Sequence, residues 1–493
     1  MLRRTSLIAA VGVLGVALAL RFSVGMVSPT MIWPDEIFQS LEQAHRLVWG
    51  YGIVPWEFRV GARSWLLPGM LAGVMRLTAW AGSGSSGYLA GARLWLCLVS
   101  LSIPASAFAL ARPRTGTRGA VVAGLAVALW FELVYFGPKA LSEAVAAAAL
   151  VTGLTMLQLS KDASRPRTWA VAGLLLGLTV ALRMHLGPAV GVALVVASWR
   201  ASPGQRVALM LGCVAPILLA GAIDDFTWGS FFKSYIVNVS TNLTGRSVEY
   251  GASPWYGYFL VLGRVWGWVT PALLLLAAIG AVRAPLLAVA AVVTFATHAA
   301  FGHKEYRFML PTIALIVVLA GDGLADVCRR CERRFASATG LRTLVPVLAL
   351  LGWSTVCLDR AASYDWLATS LAGPSGEPPF MWHHLRGSLQ AFEALSKDSR
   401  VCGVGLENRH WTATGGYTYL HRHVPIFEVD SDDAYRRYGR SFNFMIVHAD
   451  APAALGGLQR DQCFDDVCIY HRDGECLPLP GYDLNETIAA RHM

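Results

Sequence analysis

The sequence predicts an all-α polytopic membrane protein with about eleven transmembrane helices, a large first outer loop and a small C-terminal α/β domain. Three observations carry that expectation. Of 493 residues, 55% are hydrophobic and only 15% are charged, whereas soluble domains carry roughly 25% charged residues. Apolar runs long enough to cross a bilayer recur through the first three-quarters of the chain. The formal net charge is +9, and the basic residues gather in short loops between those runs, as cytoplasmic loops do. A disulfide scaffold, a disordered tail and an ordinary cytosolic enzyme are thereby excluded. No basic face interleaved with aromatics points to nucleic acid.

Leu7 to Val27 follows Arg3 and Arg4 and ends without a small-residue cleavage site, so it reads as a signal anchor with its N-terminus inside. Further spans are expected at 88–111, 118–136, 140–159, 168–184, 185–199, 206–222, 257–282, 284–301, 306–325 and 342–358. Arg112/Arg114/Arg118, Lys161/Arg165/Arg167, Arg200/Arg206 and Arg329/Arg330/Arg333/Arg334 then share the cytoplasmic side. Segment 64–81 breaks this alternation. Interrupted by Pro68 and Arg76, it reads as re-entrant or interfacial. The result is a membrane domain at 1–358 with outer loops 28–87 and 223–256, followed by a non-cytoplasmic domain at 359–493.

That last segment carries candidate strands at Arg400–Gly405, Val424–Val429, Asn443–His448 and Val467–His471, and a helical stretch at His383–Leu395. Cys402, Cys463, Cys468 and Cys476 allow three disulfide pairings. The expected one joins Cys468 to Cys476 across the Arg472-Asp473-Gly474 turn, and Cys402 to Cys463. Cys328-x-x-Cys331 lacks a second ligand pair for zinc. Sequons at Asn238, Asn242 and Asn485 all fall on the outer side, and their modification needs a eukaryotic secretory pathway.

Parity places residues 28–63, 136–140, 223–256, 301–305 and everything after 359 on one face. The ionisable groups hardest to explain as solubilising charge lie there. Such a group within hydrocarbon costs about 2.5–3.5 kcal/mol and usually faces a cavity or partner. Trp33-Pro34-Asp35-Glu36-Ile37-Phe38-Gln39 opens a helix whose Ile37, Leu41, Ala44 and Val48 form an apolar stripe, as in an interfacial helix. Asp35 stands at its start, where an aspartate can cap free N–H groups. Trp56-Glu57-Phe58, Arg63-Ser64 and the turn His303-Lys304-Glu305-Tyr306-Arg307-Phe308 add carboxylates and cations. Together these suit transfer from a phosphorylated lipid. A carboxylate can take the acceptor's proton, while Lys and Arg stabilise charge growing on the leaving phosphate.

At these positions the chain resembles glycosyltransferase family 22, the polyprenyl-phosphate-mannose-dependent mannosyltransferases with the GT-C fold. Trp33 to Gln39 is similar to that family's His-Pro-Asp-Glu-x-Phe-Gln signature, with tryptophan in place of histidine. Trp56-Glu57-Phe58 with Arg63-Ser64 and Pro68 resembles its Trp-Glu-aromatic…Arg-Ser…Pro stretch. His303 to Phe308 with Pro311 resembles its His-Lys-Glu-x-Arg-Phe…Pro motif, and the likeness spans about 28–325 in matching order. The resemblance implies Asp35 as catalytic base in an inverting transfer, with Glu36 assisting the acceptor or holding the loop. It implies Lys304 and Arg307 on the donor phosphate, His303 and Glu305 orienting them, and Glu57 and Arg63 in the substrate site. Asp224 and Asp225 open the second large loop where the family often has an acidic residue. Weaker candidates are Lys139, Glu143, Arg183 and His185 at span ends, and an aromatic wall of Tyr250, Trp255 and Tyr256.

The expectation is therefore an integral-membrane mannosyltransferase moving mannose from a polyprenyl-phosphate donor to a lipid-linked or surface glycan. Its site would lie on the extracytoplasmic face of a bacterial inner membrane, or the lumenal face of the endoplasmic reticulum in a eukaryote. Side-chain cations suffice for the phosphate, so no cofactor is expected, with a divalent cation as the alternative. No Walker A loop occurs, and no strand followed by a Gly-x-Gly-x-x-Gly helix start suggests a dinucleotide. The alternatives are transfer of another sugar, arabinose or glucose, and a lipid or glycolipid transporter. Internal repeats, common in transporters, are not found.

Overall fold

The computed structural model describes residues 2–491 apart from 28, 83, 161–164, 200, 245–250, 335–338 and 372–379. Lys161, Arg200 and Tyr250 lie outside the described residues. Contacts group the chain into two compact units: Met1–Val24 with Leu96–Phe380, and Gly25–Trp95 with Met381–Met493.

The first unit is helical. Among the described residues of the whole chain, seven helical stretches are long and apolar enough to cross a membrane, and shorter apolar helices add to them. Every segment expected from hydropathy finds a helix. The expected loop at Arg112–Arg118 is a break inside the run Ser102–Leu129, where Gly116 takes φ 70°. The expected boundary near 184 is a short interruption: Arg183 is extended, Met184–Leu186 forms a 3₁₀ turn, and the helix resumes at Gly187. Ser202 starts the helix Pro203–Trp228 with a capping box to Gln205. That helix lies backbone to backbone against Pro166–Leu182. A Cβ on Gly173 would come 2.3 Å from the Leu209 carbonyl, and one on Gly177 would come 2.1 Å from that of Cys213. Small residues bring membrane helices this close, where dispersion and weak hydrogen bonds replace the hydrophobic effect. Large apolar side chains such as Leu7, Trp199, Leu211 and Val282 stay exposed, as a lipid-facing surface requires.

The second unit joins the first loop to the C-terminal sheet. The strands are β1 (Val404–Glu407), β2 (Ile426–Val429), β3 (Phe444–His448), β4 (Ala454–Leu455), β5 (Leu458–Phe464) and β6 (Val467–His471). Their order is β2-β1-β3-β6-β5-β4. β1 runs parallel to β2 and β3, and the remaining pairs are antiparallel. The four expected strands are present. The two-residue β4 and the longer β5 are additions. The Gln459–Cys463 stretch of β5 is exposed, so no hydrophobic alternation announces it.

The disulfides correct the expected pairing. Cys402 bonds Cys476, and Cys463 bonds Cys468. The cause is the unanticipated β5–β6 hairpin, whose register sets Cys463 directly opposite Cys468. Cys402 is left for Cys476, beyond the turn. The sequon residue Asn485 is also committed: its amide oxygen accepts from Val54 N at 2.7 Å and its nitrogen donates to the Gly52 carbonyl.

The helix Leu66–Thr78 within segment 64–81 has 13 residues, about 20 Å at 1.5 Å per residue, which is short of a bilayer's hydrocarbon core.

Candidate active site

In the second unit, the loop motif folds as a π-helical turn, Glu36–Leu41, continuing into the α-helix Glu42–Trp49. π-turns occur often at functional sites because the extra residue re-aims side chains. Asp35 occupies the N-cap position with helical backbone angles, and its carboxylate makes no capping hydrogen bond. The capping reading of Asp35 is therefore not met. Nor is the interfacial helix. Glu42, Gln43 and His45 are buried as deeply as Ile37 and Phe38, so protein covers both faces.

The second motif meets the first here. Gln39 Nε2 donates to Glu57 Oε1 at 2.6 Å, which fixes the short helix Trp56–Val60 beside the π-turn. Gln43 Nε2 bridges the carbonyls of Phe38 and Ile53 at 2.8 and 2.9 Å. Arg46 donates to Gln43 and stacks over Trp65. Arg63 lies half-buried just after Gly61, whose φ of 73° ends the helix. The carboxylates Asp35, Glu36 and Glu57 thus share one polar loop braced by amides.

The third motif belongs to the first unit. His303 Nε2 sits 3.2 Å from Glu305 Oε1, and His303 Nδ1 sits 3.2 Å from the Gly251 carbonyl. Both partners accept hydrogen bonds, so both ring nitrogens donate. The Glu305 carboxylate accordingly raises the His303 pKa above its usual 6.5, against the opposing effect of burial. Burial pushes Glu305 upward, but Arg307 and His303 overcome it and hold the carboxyl well below the usual range. Arg307 grips Glu305 through two bonds, Nε–Oε2 at 2.7 Å and Nη2–Oε1 at 2.9 Å. Lys304 donates to the carbonyls of Phe301 and Ser253, and burial lowers its pKa.

The turn extends into a larger ionic network. Glu143, at the start of the helix Ser142–Leu159, lies 3.1 Å from Arg183 and 3.8 Å from Arg307. Both guanidinium groups sit over the Phe308 ring, 5.1 and 5.3 Å from its centroid. Two of the weaker sequence candidates, Arg183 and Glu143, are therefore joined to the turn. Asp224 is turned inward instead. It accepts from Ser234 N at 2.9 Å and Ser234 Oγ at 2.6 Å, while Asp225 is exposed.

Sequence reasoning missed two carboxylates. Glu132 is fully buried and accepts from Trp130 Nε1 at 2.6 Å, Trp266 Nε1 at 2.9 Å and the Tyr306 hydroxyl. It thus anchors the variable position of the third motif. An ionisable residue inside an expected span is itself a signal. Glu42 is the other, and its signal was hidden, because a glutamate on a polar loop looks solvated.

Among the described residues, no group of three or more His, Cys, Asp or Glu is arranged to hold a metal ion. The second unit carries carboxylates on the loop after residue 34, and the first unit carries two cations, a histidine and a carboxylate on the turn at 303–307.

A crystal structure of ArnT from Cupriavidus metallidurans bound to undecaprenyl phosphate matches at a TM-score of 0.58 and 13% identity, covering 93% of this chain and 97% of that chain. Its apo form matches at 0.57. The fold is GT-C, that of multi-pass integral membrane glycosyltransferases. Residues 13–364 match the Alg9-like mannosyltransferase family, and the chain belongs to that family. It is 27% identical to GPI mannosyltransferase 3 of Yarrowia lipolytica over 84% of this chain and 76% of that protein. It is 25% identical to GPI alpha-1,2-mannosyltransferase 3 of Mus musculus, over 68% of this chain and 62% of that protein. The protein is a membrane mannosyltransferase.

Proposed function

We propose that this mannosyltransferase takes mannose from a polyprenyl-phosphate carrier and transfers it, with inversion, to a hydroxyl of a lipid-linked or surface glycan. The observation that carries the reading is the buried ionic turn. Arg307 and Arg183 share the carboxylate of Glu143, and a phosphate oxygen is the natural replacement for a carboxylate in such a fork. Arg307 and Lys304 neutralise the phosphate as the glycosidic bond breaks, with His303 and Glu305 holding the turn. Asp35 removes the proton from the attacking hydroxyl, and Glu36 steadies the acceptor. Glu57 and Arg63 line the sugar site, and Asp224 and Asp225 shape the neighbouring loop. The bond from carbon to phosphate oxygen breaks as the bond to the acceptor oxygen forms, and the leaving phosphate keeps the electron pair.

The undecaprenyl phosphate bound to ArnT supports a polyprenyl carrier. The alpha-1,2 linkage in the mouse relative's name supports an α-mannosyl product, and inversion then demands a β-linked donor. No cofactor is required by this scheme, and the site faces the extracytoplasmic side of the membrane.

The test is transfer by the purified protein from synthetic carriers to a membrane lipid extract. Carriers bear mannose, glucose or arabinose in either anomeric form, and the product configuration is read by NMR. The reading predicts an α-mannoside from β-linked mannosyl carrier alone. A β-mannoside from that donor, or equal use of arabinose, would refute it.

A further inference from the structure

We propose that Glu42 is a positioning residue through which the C-terminal sheet domain holds the loop that carries Asp35. This rests on the reading of Asp35 as base and extends it to a segment with no assigned role.

Glu42 lies seven residues beyond Asp35, after an uninterrupted helical run. Its carboxylate is completely buried and, among the described residues, meets no cation at hydrogen-bond distance. Oε1 accepts from Ile53 N at 2.7 Å and Tyr417 N at 3.0 Å, and Oε2 from Thr418 N at 2.7 Å and Thr418 Oγ at 2.6 Å. Three of these four donors come from the far end of the sequence. Burial raises the carboxyl's pKa, and the donated bonds oppose that shift.

The same segment touches two more residues of the helix. Trp411 packs edge-on against Phe38, centroids 4.7 Å apart. His421 Nδ1 lies 3.2 Å from His45 Nε2, while His45 Nδ1 is occupied by the Tyr51 carbonyl at 3.1 Å. A carbonyl only accepts, so Nδ1 of His45 donates and its Nε2 accepts from His421. Phe38, Glu42 and His45 stand at i, i+4 and i+7, one stripe of the helix. Residues 411–421 cover that stripe.

The approach is close enough to require glycine. Gly416 has φ 57°, and a Cβ there would come 2.8 Å from Glu42 Oε2 and 2.9 Å from Phe38 Cε1. A carboxylate held by N–H and O–H donors of the chain itself is a rigid peg, since none of its partners can leave with a ligand. The domain thereby sets where the loop, and Asp35 at its head, can lie.

The test uses the full-length protein in nanodiscs, with undecaprenyl-phosphate-mannose and a membrane lipid extract. Glu42→Gln turns an NH₂ toward backbone N–H groups. It should lower kcat at least tenfold and leave donor KM within twofold. Hydrogen exchange should rise in 33–53 and 411–421 but not in β1 or β3. Thr418→Val, which deletes one donated bond, should fall between. Wild-type kcat in Glu42→Gln would overturn the proposal, as would exchange that spreads through the sheet, because that signals lost folding instead of a lost seat. If Asp35→Asn stays active while Glu42→Gln fails in kcat, the base lies elsewhere on the loop but the seat stands.

Discussion

The turn at 301–308 and the helix at 42–49 each hold a carboxylate by donated bonds, yet Glu305 faces Arg307 and His303 while Glu42 faces backbone amides and a hydroxyl. The difference is one of bonding chemistry. Cations compensate a buried charge strongly but can exchange one anion for another, so an ionic turn can open to a phosphate. Backbone dipoles cannot be exchanged, so a carboxylate seated on them fixes geometry. Under the proposed function, one unit binds and the other holds.

Removing a cation from the ionic turn should have the largest effect. Arg307→Gln leaves Glu305 and Glu143 under-compensated, and breaking a buried pair in this way costs about 3–5 kcal/mol. Donor KM should rise on the order of a hundredfold, measured by initial rates, and the melting temperature should fall. Arg307→Lys should not restore the enzyme, because an ammonium cannot reproduce the two-bond grip on Glu305.

Next come the disulfides, which among the described residues occur only in the second unit. Cys402–Cys476 closes 74 residues and Cys463–Cys468 only 5. Chain entropy gives about 4 kcal/mol for the first and about 2 for the second. Cys402→Ser should therefore lower denaturant resistance more than Cys463→Ser, and equal losses would break the comparison.

Both units should weaken in acid, and only the first should also weaken above neutrality. Burial lowers the His45 pKa to about 3 from 6.5. The unfolded chain binds the proton more tightly, so the second unit is fully stable above about pH 6.5. It should lose about 1.4 kcal/mol per pH unit as pH falls from there toward 3. His303 is raised, so its contribution is complete below 6.5 and fades as pH rises through its folded value. Glu305 is lowered, so its contribution is present above 4.5 and fades in acid. Protection factors should fall in 42–53 on acidification and, by a smaller amount, in 301–308 above neutrality. His45→Phe should abolish the first slope, and His303→Asn the second.

Much of the fold was legible because lipid imposes a simple rule. Apolar runs at 140–159, 257–282 and 306–325 became helices, since backbone groups in hydrocarbon must bond within their own segment. The motif residues stood out because carboxylates and cations seldom cluster beside expected spans. What stayed hidden depended on long-range pairing. Glu42 and Thr418 are 376 residues apart, and nothing local marks a glutamate that will be sealed by amides from the other end of the chain. Cys463 and Cys468 pair because of a hairpin whose polar, exposed strand β5 carries no hydrophobic period. Asp224 looked available from its place at a loop mouth, but Ser234 takes its carboxylate.

The division of labour between the two units is tested most directly by measuring donor binding and transfer side by side in Asp35→Asn and Arg307→Gln. The expected result is that Asp35→Asn binds polyprenyl-phosphate-mannose with a Kd within twofold of the parent while transfer falls by about 10²–10⁴, and that Arg307→Gln fails at binding. Undiminished transfer by Asp35→Asn, or undiminished donor binding by Arg307→Gln, would contradict it.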